Sequence, residues 1–135
     1  MCKVSVVGLS GTVYLVIEPN PLLMLDLAEM LEFEDEQAVV IAERNAGAAL
    51  ALVNSVESIK LALVAAGPGD FDNSALAQVI RQKGGRVVLM GDQAEAFGEE
   101  MGYSVLHRPF SQSQFLAMLS ELRVLPKGTK AAGRR

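Results

Sequence analysis

Short apolar runs alternate along the chain with stretches in which apolar residues recur every three or four positions. The apolar runs cover residues 13–17, 39–41, 61–65, 87–89 and 105–106. Their length and their content of Val, Ile and Leu predict five strands. Because these runs are apolar throughout and do not alternate with polar residues, they are typical of a parallel sheet that is covered on both faces.

The stretches between the strands carry helix signals. We predict one helix that opens at Pro21, one from Asn45 to Val53, one that starts near Asp72 or Asn73 and ends at Gly84-Gly85, a weaker one over residues 93–101, and a closing helix over residues 111–123. A plain turn is expected at Gly67-Pro68-Gly69. Five strands that alternate with five helices predict a three-layer α/β/α sandwich.

Length and composition fit one domain. The chain has 135 residues, of which half are hydrophobic and 21% are charged, so it is long and apolar enough to form a core. Residues 12–123 hold the alternating pattern. Residues 1–11 are interpreted as an N-terminal arm, an extra edge strand or a strand that a partner takes up, and residues 124–135 as a flexible basic tail.

Several classes of protein are disfavoured by the same composition. No apolar run approaches the ~20 residues that cross a bilayer, and the first residues lack the pattern of a secretory signal peptide, so we expect a cytoplasmic protein without membrane contact. Cys2 and His107 are the only cysteine and histidine, which excludes a disulfide within the chain and the common zinc sites.

The charges are distributed unevenly. All 16 acidic residues precede Leu122, whereas Lys127, Lys130, Arg134 and Arg135 lie in the last nine residues. Proteins bind nucleic acid largely through basic residues that neutralise phosphates, and the body of this chain is acidic. We therefore expect no nucleic-acid partner.

Two motifs follow predicted strands. One is Ile17-Glu18-Pro19-Asn20-Pro21-Leu22-Leu23, after the first strand, and the other is His107-Arg108-Pro109-Phe110-Ser111, after the fifth. In order and separation they resemble the receiver domain of bacterial two-component response regulators, over about residues 12–123. The resemblance implies a flavodoxin-like (βα)5 fold with a parallel sheet in the order 2-1-3-4-5, and ligands at the carboxyl ends of the strands.

The resemblance also implies a phosphorylation pocket, which is degenerate here. Receivers accept a phosphoryl group on an aspartate that ends strand three, where this chain has Ala65. They bind magnesium with an acidic pair, of which Glu18 remains beside Pro19. Met90 stands where the family has a threonine or serine, and Arg108 replaces its lysine. We interpret the chain as a phosphorylation-independent receiver without catalytic activity, cofactor or metal.

Alternative interpretations concern residues near the same strand ends. A noncanonical Asp70 or Asp72 could accept phosphate, although helix capping by Asp72 and solvation of Asp70 are the simpler accounts. The emptied pocket could instead sense a small molecule if its volume reaches ~300 Å³. We further predict that Arg108 forms an ion pair with Glu18, and that His107 is a solvated loop residue.

The closing helix carries a wide apolar stripe. In receivers the face made by helix four, strand five and helix five commonly mediates dimerisation, and the resemblance assigns this role to residues 93–123 here. By resemblance we predict an interaction face formed by Val105, Phe115, Leu116, Met118 and Leu122. The expected partner is a protein: a histidine kinase, an output protein, or a second copy of this chain in a homodimer.

Overall fold

A computed structural model describes residues 12–123 as one alternating series of strands and helices. The strands are β1 (Val13–Ile17), β2 (Val39–Glu43), β3 (Leu61–Ala65), β4 (Arg86–Met90) and β5 (Ser104–Leu106). The helices are α1 (Pro21–Glu34), α2 (Ala46–Val53), α3 (Pro68–Asp72), α4 (Ala75–Gln82), α5 (Asp92–Phe97) and α6 (Gln112–Glu121). The predictions for residues 1–11 and 124–135 lie outside this range.

All five strands form one parallel sheet in the order β2-β1-β3-β4-β5. The predicted flavodoxin-like α/β fold and its strand order are thereby confirmed. The central strands β1 and β3 are almost wholly buried, which explains why their sequences are apolar at every position. Pairing of Ala65 with Met90 and of Met90 with Leu106 aligns the ends of β3, β4 and β5 at one edge.

Each face of the sheet has its own core. One core packs α2, α3, α4 and α5 against alternate strand residues such as Leu15 and Val64. The other packs α1 and α6 against the intervening residues, among them Val16 and Leu63. Tyr14 is fully buried in this second core, and its hydroxyl donates to Asp35 Oδ2 at 3.0 Å, so the polar end of this strand residue has a partner.

The segment after β3 differs from the prediction. Residues 68–72 form the short helix α3 where a plain turn was expected, because Pro68 at the first helical position needs no hydrogen-bond acceptor for its nitrogen. The next helix begins at Ala75, and its cap is Ser74, whose hydroxyl accepts from the Ala77 amide at 3.1 Å. The prediction that Asp72 caps a helix is wrong.

Helix α6 corrects the predicted interaction face. Phe115 is fully buried and Leu116 is 5% exposed, and both belong to the core of the α1–α6 face. Met118 and Leu122 are partly buried against the same core, and Val105 packs against the opposite one. The apolar stripe of α6 therefore faces inward, because the sheet and α1 cover it. Among residues 12–123, no helix is both long and apolar enough to span a membrane.

Candidate functional site

A cavity of about 420 Å³ opens at the carboxyl edge of the sheet. Its walls come from the segments that follow β1, β3, β4 and β5, since parallel strands all end at the same edge. Every residue that the sequence assigned to a degenerate pocket lines it: Glu18, Pro19, Ala65, Met90 and Arg108. The fold thus brings together side chains that are up to 90 positions apart in the chain.

The floor of the cavity is apolar. Ala65 and Met90 are register partners at the ends of β3 and β4, and Leu106 is the partner of Met90 on β5. Met90 is 3% exposed and Leu106 is 5% exposed. None of these three side chains carries an oxygen that could accept a phosphoryl group or bind a hard cation.

Glu18 is the buried acid of the cavity. It directly follows β1, and its side chain is held at the cavity wall by the backbone amide of Asn20, which donates to Oε2 at 3.0 Å. Asn20 in turn caps α1, because its side-chain oxygen accepts from the amides of Leu22 at 2.9 Å and Leu23 at 3.3 Å. The start of α1 therefore fixes the position of the carboxylate.

Arg108 does not bind Glu18, so the predicted ion pair is wrong. Its guanidinium donates from Nε to Glu95 Oε2 at 2.8 Å and from Nη2 to Asp92 Oδ1 at 2.6 Å. Its backbone amide also donates to Glu95 Oε2, at 3.0 Å. Asp92 and Glu95 are three residues apart on α5, a spacing that places both on one side of the helix. Arg108 therefore binds the two carboxylates of α5 and not the single carboxylate that follows β1.

The pKa values reflect this arrangement. Hydrogen bonds from the side chain and backbone of Arg108 lower the pKa of Glu95, and the bonds to Glu95 and Asp92 raise the pKa of Arg108. Neither Asp92 nor Glu95 was predicted from the sequence as a partner of Arg108. Their spacing of three residues directly after a strand was the available signal, since it is typical of a first helical turn with two acids on one side.

A glycine positions these acids. Gly91 lies between β4 and α5 with a φ of 104°, a backbone conformation that residues with a side chain rarely adopt. The sharp turn allows the chain to leave Met90 on the cavity floor and to start α5 at Asp92 at the cavity rim. A residue with a Cβ would be strained at this position.

The two candidate aspartates outside the degenerate pocket do not line the cavity. Asp70 is exposed in the first turn of α3. Asp72 Oδ1 accepts from the Tyr103 hydroxyl at 2.5 Å and from Arg81 Nη2 at 2.7 Å. These bonds, that of Tyr103 first, lower the pKa of Asp72. Asp72 therefore joins α3 to α4 and to the residue before β5.

His107 is half-exposed beside the site, and its Nε2 lies 3.1 Å from Glu99 Oε2. This exposure agrees with the predicted solvated loop residue, and the residues after α5 bring Glu99 next to it. Within the part of the chain that the structure describes, no three His, Cys, Asp or Glu side chains converge in a group that could hold a metal ion.

Comparisons with protein families, curated proteins and solved structures identify no match to this chain.

Proposed function

We propose that this chain is a receiver-like signalling module that binds a protein partner without being phosphorylated. The observation that carries the proposal is Ala65. It ends the central strand β3 and lines the cavity in which the resemblance would place the acceptor aspartate. A methyl group offers no oxygen for a phosphoryl bond, so a module of this kind would signal through the conformation that its side chains already stabilise.

Two further features support a conformation that is fixed without phosphate. Met90 occupies the end of β4 with a thioether, which does not donate the hydroxyl hydrogen bond that an incoming phosphoryl group needs. Arg108 is already neutralised by Asp92 and Glu95, with contacts of 2.6 and 2.8 Å. In the proposed module this ion-pair network takes the role that a phosphoryl–lysine contact has in the receivers that this chain resembles.

Phosphorylation at Asp70 or Asp72 is the competing enzymatic interpretation. Asp72 already accepts a charge-assisted hydrogen bond from Arg81 and a short one from Tyr103. Both bonds reduce the nucleophilicity of its carboxylate. Asp70 is exposed on α3 and does not line the cavity, so the cavity groups would not assist a transfer to it. Both features favour the phosphorylation-independent module.

Intact-mass spectrometry after incubation with acetyl phosphate and magnesium tests the proposal, with a phosphorylatable response regulator treated in parallel as the positive control. We expect the mass of this chain to stay unchanged while the control gains about 80 Da. A labile adduct on this chain would contradict the proposal. Its loss in Asp70→Asn or in Asp72→Asn would then assign the acceptor.

Ligand sensing is a second candidate function, and the size of the cavity favours it. A volume of about 420 Å³ exceeds the ~300 Å³ at which small-molecule sites begin. The combination of an apolar floor with a few polar groups at the wall is typical of such sites. Signalling would then depend on a bound molecule that stabilises one conformation of the cavity walls.

A further inference from the structure

The carboxylate of Glu18 has one oxygen bonded within the protein and one open to the cavity. The residue is 9% exposed, and its Oε2 accepts the Asn20 amide. Among residues 12–123, no other group donates a hydrogen bond to this carboxylate, and no cation lies within ion-pair distance of it. Buried carboxylates are normally paired, because removing the charge from water is costly. A largely buried acid that turns its second oxygen to the cavity therefore points to a ligand in that cavity.

The charges around the cavity determine the sign of that ligand. Arg108 is the one basic residue among its lining side chains, and Asp92 and Glu95 neutralise it. Glu18 and Asp92 both contribute negative charge to the lining. The potential inside is thus negative, which disfavours phosphate and carboxylate ligands and favours a cation.

The chemistry of the lining distinguishes between kinds of cation. A hard divalent ion requires several oxygen ligands, and the described residues hold no group of three ligating side chains. Apart from Asn20 and Gln93, the uncharged lining side chains are apolar or aromatic and suit a hydrocarbon body; they include Leu23, Ala65, Met90, Leu106 and Phe110. An organic cation uses both parts of this lining.

We propose that the cavity binds a small primary amine in its protonated form, with the ammonium group on Glu18 and the hydrocarbon body over the floor of β3, β4 and β5. The proposal rests on the second candidate function, ligand sensing, and names its ligand class. A charge-assisted hydrogen bond in a partly desolvated cavity supplies the specificity, and the apolar contact supplies further affinity.

Binding is tested on the full chain with phenethylamine as the probe and with phenethyl alcohol as its neutral analogue. Amide NMR spectra recorded during each titration report both the dissociation constant and the location. Glu18→Gln removes the charge at nearly constant shape. Glu57→Gln is the matched control, because Glu57 is exposed and precedes β3, at the opposite edge of the sheet.

We expect saturable shifts at Ala65, Met90 and Gly91 with phenethylamine, and binding that is weaker by about tenfold or more for the alcohol and for Glu18→Gln. Glu57→Gln should bind the amine as the parent chain does. Equal affinity for amine and alcohol would overturn the ligand class but leave ligand sensing intact. Absence of saturable binding for both probes would overturn the amine proposal and count against ligand sensing as well.

Discussion

Arg108 illustrates how the partners of one side chain depend on the elements around it. Its charge follows from the sequence, and so does its place directly after β5. Its orientation does not, because three acids on two segments could bind it: Glu18 after β1, and Asp92 and Glu95 on α5. Glu95 accepts hydrogen bonds from three donors of Arg108: the backbone amide, Nε and, at a longer 3.4 Å, Nη2.

The first prediction concerns the titration of Glu95. Hydrogen bonds from the side chain and backbone of Arg108 hold the pKa of Glu95 below its ordinary value of 4.5. Arg108→Gln removes the charged donors, so we expect this pKa to rise towards 4.5 in a carbon NMR titration of the carboxyl groups. Arg44→Gln, which removes an exposed arginine that binds the Pro19 carbonyl, is the control and should leave Glu95 unchanged.

A second prediction concerns the cluster of Tyr103, Asp72 and Arg81. Because the hydroxyl of Tyr103 and then Arg81 lower the pKa of Asp72 below 3.8, the ionised form contributes stability above that pH. This contribution is lost as the pH falls through the lowered value. Tyr103→Phe keeps the ring that packs edge-on against Phe71 but removes the hydroxyl.

We therefore expect Tyr103→Phe to lower the urea midpoint at neutral pH and to differ less from the parent chain at a pH of about 3. Asp70→Asn, a change at an exposed acid on the same short helix, should leave the pH dependence of stability as it is. A difference in urea midpoint between Tyr103→Phe and the parent chain that stays constant across pH would show that the hydroxyl does not stabilise the ionised form of Asp72.

At the scale of elements, the packing of α5 on β5 depends on a glycine. A Cβ at Gly98 would lie 2.5 Å from Val105 Cγ2 and 2.6 Å from the Ala94 carbonyl oxygen. Val105 is partly buried and packs against the core, which limits its movement away from Gly98. This close approach sets the end of α5 and the path of the chain into β5.

The third prediction compares two glycine substitutions. Gly98→Ala should destabilise the fold by about 1–3 kcal/mol, because the added methyl group overpacks the junction between α5 and β5. At Gly69 a Cβ would meet nothing within 4 Å, so Gly69→Ala should change stability by no more than about 1 kcal/mol. Urea denaturation measures both, and equal losses would rule out the steric account.

The elements also differ in how well their sequences predict them. Strands β1 and β3 are buried on both faces, so their unbroken apolar runs identify them directly. Helix α6 starts where the closing helix was predicted to start, and Ser111 and Gln114 form a capping box there. Helix α3 was missed because its five residues are too few for a periodic pattern, and Gly-Pro-Gly is typical of a turn.

For the whole molecule, the exposed apolar side chains indicate a partner surface outside α6. The α6 residues of the predicted face are covered, whereas Phe97 is 48% exposed and Met101 is 51% exposed. They lie one helical turn apart, and the Met101 amide donates to the Phe97 carbonyl at 3.3 Å. Both fall within residues 93–123, the region to which the resemblance assigns dimerisation. The proposed homodimer would use them.

The fourth prediction tests that surface by light scattering. We expect the parent chain to have twice the mass of one chain. The double variant Phe97→Ser with Met101→Ser should be monomeric, because each substitution removes a large exposed apolar side chain. Leu22→Ser with Leu25→Ser is the control, because these two leucines on α1 are more exposed than Phe97 and Met101, at 78% and 52%. A monomeric parent chain, or dissociation only in the α1 variant, would contradict the prediction.

The order of the elements, the parallel sheet and the residues at the strand ends follow from the sequence, because burial on both faces imposes apolar strands and turns mark where they stop. The resemblance to receivers, together with the rule that parallel strands end at one edge, also predicted that Glu18, Ala65, Met90 and Arg108 share one pocket, and all four line the cavity. Two further features require the tertiary structure: Arg108 binds Glu95 and not Glu18, and Phe115 and Leu116 face inward. Those outcomes depend on distances between segments far apart in the chain, which no local pattern encodes.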